Sequence, residues 1–74
     1  MKLEILRLLA RVPDAPASEI AASLNTTMPA ASMALLRLTR SGLVERAQDQ
    51  QRHRFFYSIT PKGLTRLHFF EGER

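Results

Sequence analysis

The stretch TTMPAASMALLRLTRSGL, residues 26–43, decides how this chain folds. Its two threonines are candidate N-caps, and Pro29 suits a first helical turn, because a proline there gives up no intrahelical hydrogen bond. Gly42 can adopt the left-handed backbone conformation that ends a helix. The sequence therefore predicts a helix over residues 27–41.

This helix has two unlike faces when its residues are placed at about 100° intervals. The narrow stripe that we expect to be buried consists of Ala31, Ala34, Leu35 and Leu38. The side chains that point the other way, or flank that direction, are Pro29, Ser32, Met33, Leu36, Arg37 and Arg40. The outward face is therefore expected to contact a partner.

The segments before this helix predict two further helices. Residues 2–12 alternate apolar and charged positions in the manner of an amphipathic helix. Two prolines within residues 13–16 end it, and residues 17–24 form a short second helix. A turn at residues 25–27 leads directly into the central helix. Two helices joined so tightly form a helix-turn-helix, whose second helix lies in the DNA major groove.

The residues after Gly42 predict a β-hairpin. Residues 43–47 alternate loosely, and residues 55–59 are rich in aromatic and β-favouring side chains. The polar, basic tract between them, residues 48–54, is expected to form the tip. With a period of two, the inward face is expected to consist of Phe55, Tyr57 and Ile59.

A final helix is expected from Pro61 to about Glu71, because Thr60-Pro61 is a cap followed by a proline at the first helical position. Its predicted buried stripe contains Leu64 and Leu67. The fold class is therefore mainly α with a small β-hairpin (α+β), in the order helix-helix-helix-strand-strand-helix. We expect residues 1–74 to form a single domain.

Length, composition and charge limit the function classes. The chain has 74 residues, no cysteine and no apolar run near the roughly 20 residues that span a bilayer, so we expect a cytoplasmic protein without membrane contact. Its net charge is +4, and the charge is uneven: residues 1–36 balance, whereas residues 37–66 carry seven basic and two acidic side chains. Such a basic stripe indicates a polyanionic partner such as nucleic acid, the alternative being a solvated surface.

Three segments match a known arrangement with their spacings intact: SEIAASL (residues 18–24), NTTMPAASMALLRLTRSGLVER (25–46) and RHRFFYSITPKG (52–63). They resemble the winged helix-turn-helix domain of bacterial and archaeal transcription regulators, the MarR and PadR families especially. In such families Gly-Leu-Val and a charged residue follow the recognition helix, and the second wing strand ends in an L/I-T-x-x-G turn. The resemblance implies a dimeric DNA-binding regulator with its recognition helix at 27–41 and its wing tip at 48–54.

The expected DNA contacts on the recognition helix are Thr27, Pro29, Ser32, Met33, Leu36, Arg37 and Arg40. The two arginines are expected to bind phosphates flanking the groove, although solvent-facing arginines that complement the helix dipole are an alternative. Near the base edges, Ser32 can hydrogen-bond several acceptors, and Met33 or Leu36 can pack on a thymine methyl. Exposed apolar side chains also mark protein interfaces, so a protein partner is the rival interpretation.

The expected contacts of the wing are Gln50, Gln51, Arg52, His53 and Arg54. Arginine recurs in narrow, A·T-rich minor grooves, and the alternative is an ordinary polar hairpin turn. The only histidines, His53 and His68, have no cysteine or carboxylate cluster beside them in the sequence. We therefore expect no metal and no cofactor.

The tail places Phe69 almost opposite Leu67 on the last helix, so Phe69 and Phe70 cannot both enter one core. One is expected to pack on a second copy of the chain in a two-fold dimer, the alternative being a frayed end folded over the wing. No nucleophile–base pair, carboxylate pair or glycine-rich loop indicates an enzyme. We expect no small-molecule effector, because so short a chain has little room for a ligand pocket.

The sequence favours a sequence-selective double-stranded DNA-binding protein, a small dimeric regulator. A winged-helix protein-interaction module is the first alternative. A weakly selective architectural DNA-binding protein is the second.

Overall fold

The computed structural model of the protein describes residues 1–51 and 53–72. This part of the chain forms α1 (Lys2–Arg11), α2 (Ala17–Ser23), α3 (Met28–Arg40), β1 (Val44–Asp49), β2 (Arg54–Ile59) and α4 (Pro61–Gly72). The two strands pair in an antiparallel hairpin. The predicted α+β class and the predicted order of the elements are confirmed. Residues 12 and 24, which were expected within the first two helices, are their C-caps.

The ends of α3 follow from its local sequence. Thr27 is the N-cap, and its Oγ1 accepts a hydrogen bond from the Ala30 N–H at 3.2 Å. Ser41 is the C-cap, and Gly42 follows with a φ of 77°, which is the left-handed conformation expected there. The helix is one residue shorter at each end than the predicted 27–41, because the two flanking residues are caps.

The core lies on one side of α3, between this helix, α1, α2, α4 and the first part of the β1–β2 hairpin, which is the wing. The stripe predicted from periodicity is buried at Ala31, Leu35 and Leu38, and Ala34 is half-buried. The large fully buried side chains of the core are Ile5, Leu6, Leu9, Ile20, Leu35, Leu38, Leu43 and Val44. Because this cluster covers only the inner face of α3, the outer face is left to solvent.

The start of α4 is tied to the end of α3. Thr60 is buried, and its Oγ1 donates to the Gly42 carbonyl at 2.7 Å while accepting from the Gly63 N–H at 3.0 Å. Lys62 Nζ donates to the Ser41 carbonyl at 3.0 Å. The predicted cap at Thr60 therefore also satisfies a carbonyl beyond the recognition helix, which fixes α3 relative to α4.

The wing is longer than the sequence indicated. The register runs from Val44 opposite Ile59 to Asp49 opposite Arg54, so both ends of the predicted tip tract belong to the strands. On the other edge of β2, Ala15 and Tyr57 exchange two main-chain hydrogen bonds of 3.0 and 2.8 Å. The loop between α1 and α2 therefore adds a one-residue pairing to the sheet.

Two predictions about burial are wrong. Phe55 lies on the same face of the hairpin as Tyr57 but is not buried; it is 43% exposed, because its position is beyond the core. Leu64 is 37% exposed, since the buried positions of α4 are Gly63 and Leu67. The buried face of α4 thus begins at a glycine. Because glycine has no side chain, the pattern of apolar residues in the sequence does not indicate that this position is buried.

Candidate nucleic-acid interface

The outward face of α3 is exposed. Met33 is 53% and Leu36 is 41% accessible, although both are large apolar residues. The other side chains predicted to contact DNA from this helix are exposed as well, namely Thr27, Pro29, Ser32, Arg37 and Arg40. This exposed face of α3 contributes no side chain to the buried core. It is therefore available to bind a partner.

One face of the wing is turned toward this helix. Side chains alternate between the two faces of a strand, so Arg46 shares a face with its cross-strand partner Tyr57. Helix and wing together enclose an open groove of about 320 Å³, lined by Ser32, Met33, Leu36, Thr39, Arg46 and Tyr57. The structure therefore brings Ser32, Met33 and Leu36 together with side chains of the wing on one concave surface.

The sequence pattern did not indicate that Thr39, Arg46 and Tyr57 line this groove. Arg46 stands over the ring of Phe55, with its guanidinium carbon 4.3 Å from the ring centroid. Thr39 donates its hydroxyl to the Leu35 carbonyl at 2.7 Å. The strand alternation from Val44 could have placed Arg46 on the helix side, had the register of the hairpin been known.

The tip of the wing is a tight turn organised by Asp49. Its Oδ1 accepts from the Gln51 N–H at 2.9 Å, and its carbonyl accepts from the His53 N–H at 2.8 Å. His53 has a φ of 55°, and the side chains of Gln50, Gln51 and His53 are exposed. Arg52, the fourth residue predicted at the tip, lies outside the described residues.

Arg54 is not at the tip, because it begins β2. Its Nη2 donates to the Ser18 hydroxyl on α2 at 2.9 Å. Arg54, Met28 and Phe55 line a second open groove, of about 300 Å³, beside the start of α2. The Arg54 side chain is exposed and basic, as predicted for a DNA contact, but it lies beside the first turn of α2 and not at the wing tip.

The arginines of α3 and β1 form no ion pair within the described part of the chain; among them Arg46 lines the groove, whereas Arg37 lines a separate cavity beside α1 and α4. Its ion pairs join the N-terminal amine to Glu4 at 3.0 Å and Arg7 Nε to Glu71 at 3.2 Å, both away from the groove. No described carboxylate lies within ion-pair distance of Arg37, Arg40 or Arg46. Their charge is therefore available to an anion.

The predicted dimer residues occupy different environments on α4. Phe69 is 59% exposed and Phe70 is half-buried, and their rings meet edge to face at 5.9 Å. Lys2 Nζ lies 5.6 Å from the centroid of Phe70. The expectation from periodicity that the two rings do not enter the same core is confirmed.

Two other features are absent from residues 1–51 and 53–72. No helix there combines the length and apolar character that crossing a membrane requires. That same part of the chain gathers no group of three or more His, Asp or Glu residues able to hold a metal ion.

The sequence model of the MarR family matches residues 1–54, which include all three helices of the helix-turn-helix region and most of the wing. The chain belongs to the MarR family. A comparison with curated proteins gave no match.

Several solved structures share this fold. The transcriptional regulator BldR from Sulfolobus solfataricus is 28% identical over 89% of this chain and 48% of its own, with a TM-score of 0.82. MepR, a transcription regulator of the Staphylococcus aureus multidrug efflux pump MepA, is 26% identical over 96% and 53%, with a TM-score of 0.88. A probable transcriptional regulator from Pseudomonas aeruginosa, 20% identical over 99% and 56%, shares the fold with a TM-score of 0.89. This MarR-family chain thus spans about half the length of the solved structures it matches.

Proposed function

We propose that this protein is a transcription regulator that binds double-stranded DNA selectively as a homodimer. The observation that carries the proposal is the single concave surface formed by the exposed face of α3 and one face of the wing, which Arg46 lines, together with the unpaired Arg37 and Arg40 on α3. In the proposed complex α3 enters the major groove, and the wing lies over the minor groove or the adjacent phosphates. Membership of the MarR family and similarity to transcription regulators support this arrangement.

Different side chains supply affinity and selectivity in this proposal. Arg37 and Arg40 lie in the last turns of α3 and bind phosphates at the groove edge, which positions the protein without reading the sequence. Ser32 hydrogen-bonds a base edge, and Met33 and Leu36 pack on thymine methyl groups. Because no arginine, asparagine or glutamine occupies the first half of this face, we expect modest selectivity.

The proposed dimer forms through the exposed aromatic end of α4, at Phe69 and Phe70. A two-fold axis at that end presents two copies of α3 to successive major grooves, about 34 Å apart. The selected DNA should then contain two related half-sites separated by about one helical turn.

The decisive experiment is selection of bound sites from random duplex DNA, combined with the mass of the resulting complex. We expect an inverted repeat, two chains per duplex, and loss of binding with salt at about 0.9 log units per log unit for each phosphate contacted. Ser32→Ala with Met33→Ala should change the preferred sequence, whereas Arg37→Ala with Arg40→Ala should weaken binding to all sequences. Arg11→Ala, which removes one charge from α1, is the control for loss of positive charge away from this surface.

The alternatives predict different results. If all duplexes are bound equally and unrelated DNA competes fully, the protein is an architectural DNA-binding protein and selectivity is refuted. If DNA is bound no more tightly than by an unrelated basic protein, and a protein partner is retained in stoichiometric amount, the exposed Met33 and Leu36 serve a protein interface instead.

A further inference from the structure

We propose that Arg46, stacked on the ring of Phe55, binds a phosphate of the DNA strand that separates the major groove from the minor groove. This inference rests on the proposed DNA-binding mode and adds a contact that neither α3 nor the wing tip supplies. It concerns a residue in the middle of β1, which lies outside residues 27–41 and 48–54, the two regions predicted from the sequence to contact DNA.

The position of Arg46 in the hairpin favours a backbone contact. It lines the groove together with Ser32 and Leu36 of α3, so it faces the side on which the DNA is bound. It also lies three residues before Asp49 at the tip, which is about 10 Å along a strand. The major and minor grooves alternate along the DNA axis, so that each helical repeat of ~34 Å contains one of each. One sugar-phosphate strand separates a major groove from the neighbouring minor groove. A residue between the helix and the tip therefore meets that strand.

Phe55 holds the guanidinium in place beside the groove. The guanidinium carbon lies over the Phe55 ring, 4.3 Å from its centroid, and an aromatic ring occupies none of the hydrogen-bonding capacity of the guanidinium N–H groups toward an anion. A guanidinium held in this way loses less rotamer freedom when it binds an anion. The stacking also accounts for an aromatic side chain that is 43% exposed on the wing. Phe55 thus acts as a positioning residue for Arg46.

The electrostatic surroundings favour a phosphate as the ligand. No described carboxylate pairs with Arg46, and the nearest described groove residues are neutral. Arginine binds phosphate oxygens through two parallel hydrogen bonds, which lysine cannot reproduce. We therefore expect Arg46→Lys to keep the charge but lose part of the affinity.

The test measures binding of the full chain to its selected duplex and to an unrelated duplex at several salt concentrations. Arg46→Ala should lower the salt slope by about 0.9 per chain, or about 1.8 for a duplex bound by two chains, and weaken binding to both duplexes by a similar factor, about thirtyfold at 0.15 M salt. Arg11→Ala, the matched loss of charge on α1, should leave the slope and the affinity close to those of the unaltered chain. Phe55→Leu should weaken the unaltered chain but not the Arg46→Ala variant, because the ring acts only through the arginine. Circular dichroism of each variant checks that it is folded.

Each alternative outcome identifies what is wrong. If the unaltered chain selects a site but Arg46→Ala behaves like Arg11→Ala, the phosphate contact is refuted and the DNA-binding function stands. If Arg46→Ala weakens only the selected duplex, the arginine reads a base edge, which also refutes the phosphate assignment. If the unaltered chain shows no salt-dependent binding to any duplex, both this inference and the proposed function fail.

Discussion

Replacing Gly63 with alanine should strongly destabilise the protein. Gly63 lies in the first turn of α4, where a Cβ would be 2.2 Å from the Leu43 carbonyl oxygen and 2.7 Å from Ile59 Cγ1. The closer neighbour is backbone and has no rotamer with which to move away. To reach an ordinary contact of 3.4 Å, α4 would have to move about 1.2 Å from the end of α3.

The cost can be worked from the contacts that such a movement affects. Overpacking of a core costs about 1–3 kcal/mol, and each hydrogen bond lost contributes about 1 kcal/mol. The bonds at risk are those from Thr60 to the Leu43 and Gly42 carbonyls, at 3.1 and 2.7 Å. Because alanine has a higher helix propensity than glycine, about 1 kcal/mol of this loss is offset. We expect a net loss of about 3 kcal/mol, from a free energy of unfolding of about 4–11 kcal/mol for a chain of this length.

The assay is thermal and urea unfolding followed by circular dichroism. A loss of about 3 kcal/mol should lower Tm by roughly 12–24 °C in a domain of this size. Gly72→Ala is the control, because a Cβ there meets nothing within 4 Å, while the change in the unfolded chain is the same. If the Gly63→Ala and Gly72→Ala variants have the same Tm, the argument from close approach is wrong.

Three further substitutions test the contacts that hold α3 in place, each by urea unfolding. Thr60→Val removes the donor to Gly42 and the acceptor for Gly63 and should cost about 2 kcal/mol, whereas Thr60→Ser should keep most of the stability. A larger loss for the serine variant than for the valine variant would show that the methyl group, and not the hydroxyl, matters. Gly42→Ala should cost about 1–2 kcal/mol because its φ is 77°, and no measurable loss would mean that the turn relaxes freely. Thr27→Ala should cost about 1 kcal/mol, because the hydrogen bond from the Ala30 N–H to the capping side chain is lost. Thr27→Ser should be nearly neutral. A serine variant as unstable as the alanine variant would contradict the capping role.

The parts of the fold that the sequence predicts are those decided by neighbouring residues. The limits of α3 depend on Thr27, Pro29 and Gly42, all of which act on the backbone within one turn. The start of α4 depends on Thr60 and Pro61 in the same way. Local chemistry therefore predicts element order and boundaries to within one or two residues.

The features that the sequence did not predict depend on distant parts of the chain. Alternation alone places Phe55 and Tyr57 on one face, but it does not say how far along the hairpin the core extends. The burial of Gly63 follows from the approach of Leu43, which lies in another element. Arg46 is a candidate contact because the hairpin lies beside α3, and the sequence pattern does not specify that arrangement. The predicted contacts on α3 and the wing remain predictions until DNA binding is measured.

The pairing of Ala15 with Tyr57 has a consequence for motion of the hairpin. In antiparallel pairing the N–H and C=O of one residue point to the same side, so both main-chain groups of Tyr57 are engaged by Ala15 while its neighbours bond to β1. The hairpin is therefore held in place at Tyr57. The amide protons of Ala15 and Tyr57 should exchange with solvent far more slowly than those of Gln50 and Gln51. In the proposed complex, the outer hairpin would therefore bend beyond this point, and adjust to DNA grooves of different width, without tilting α3.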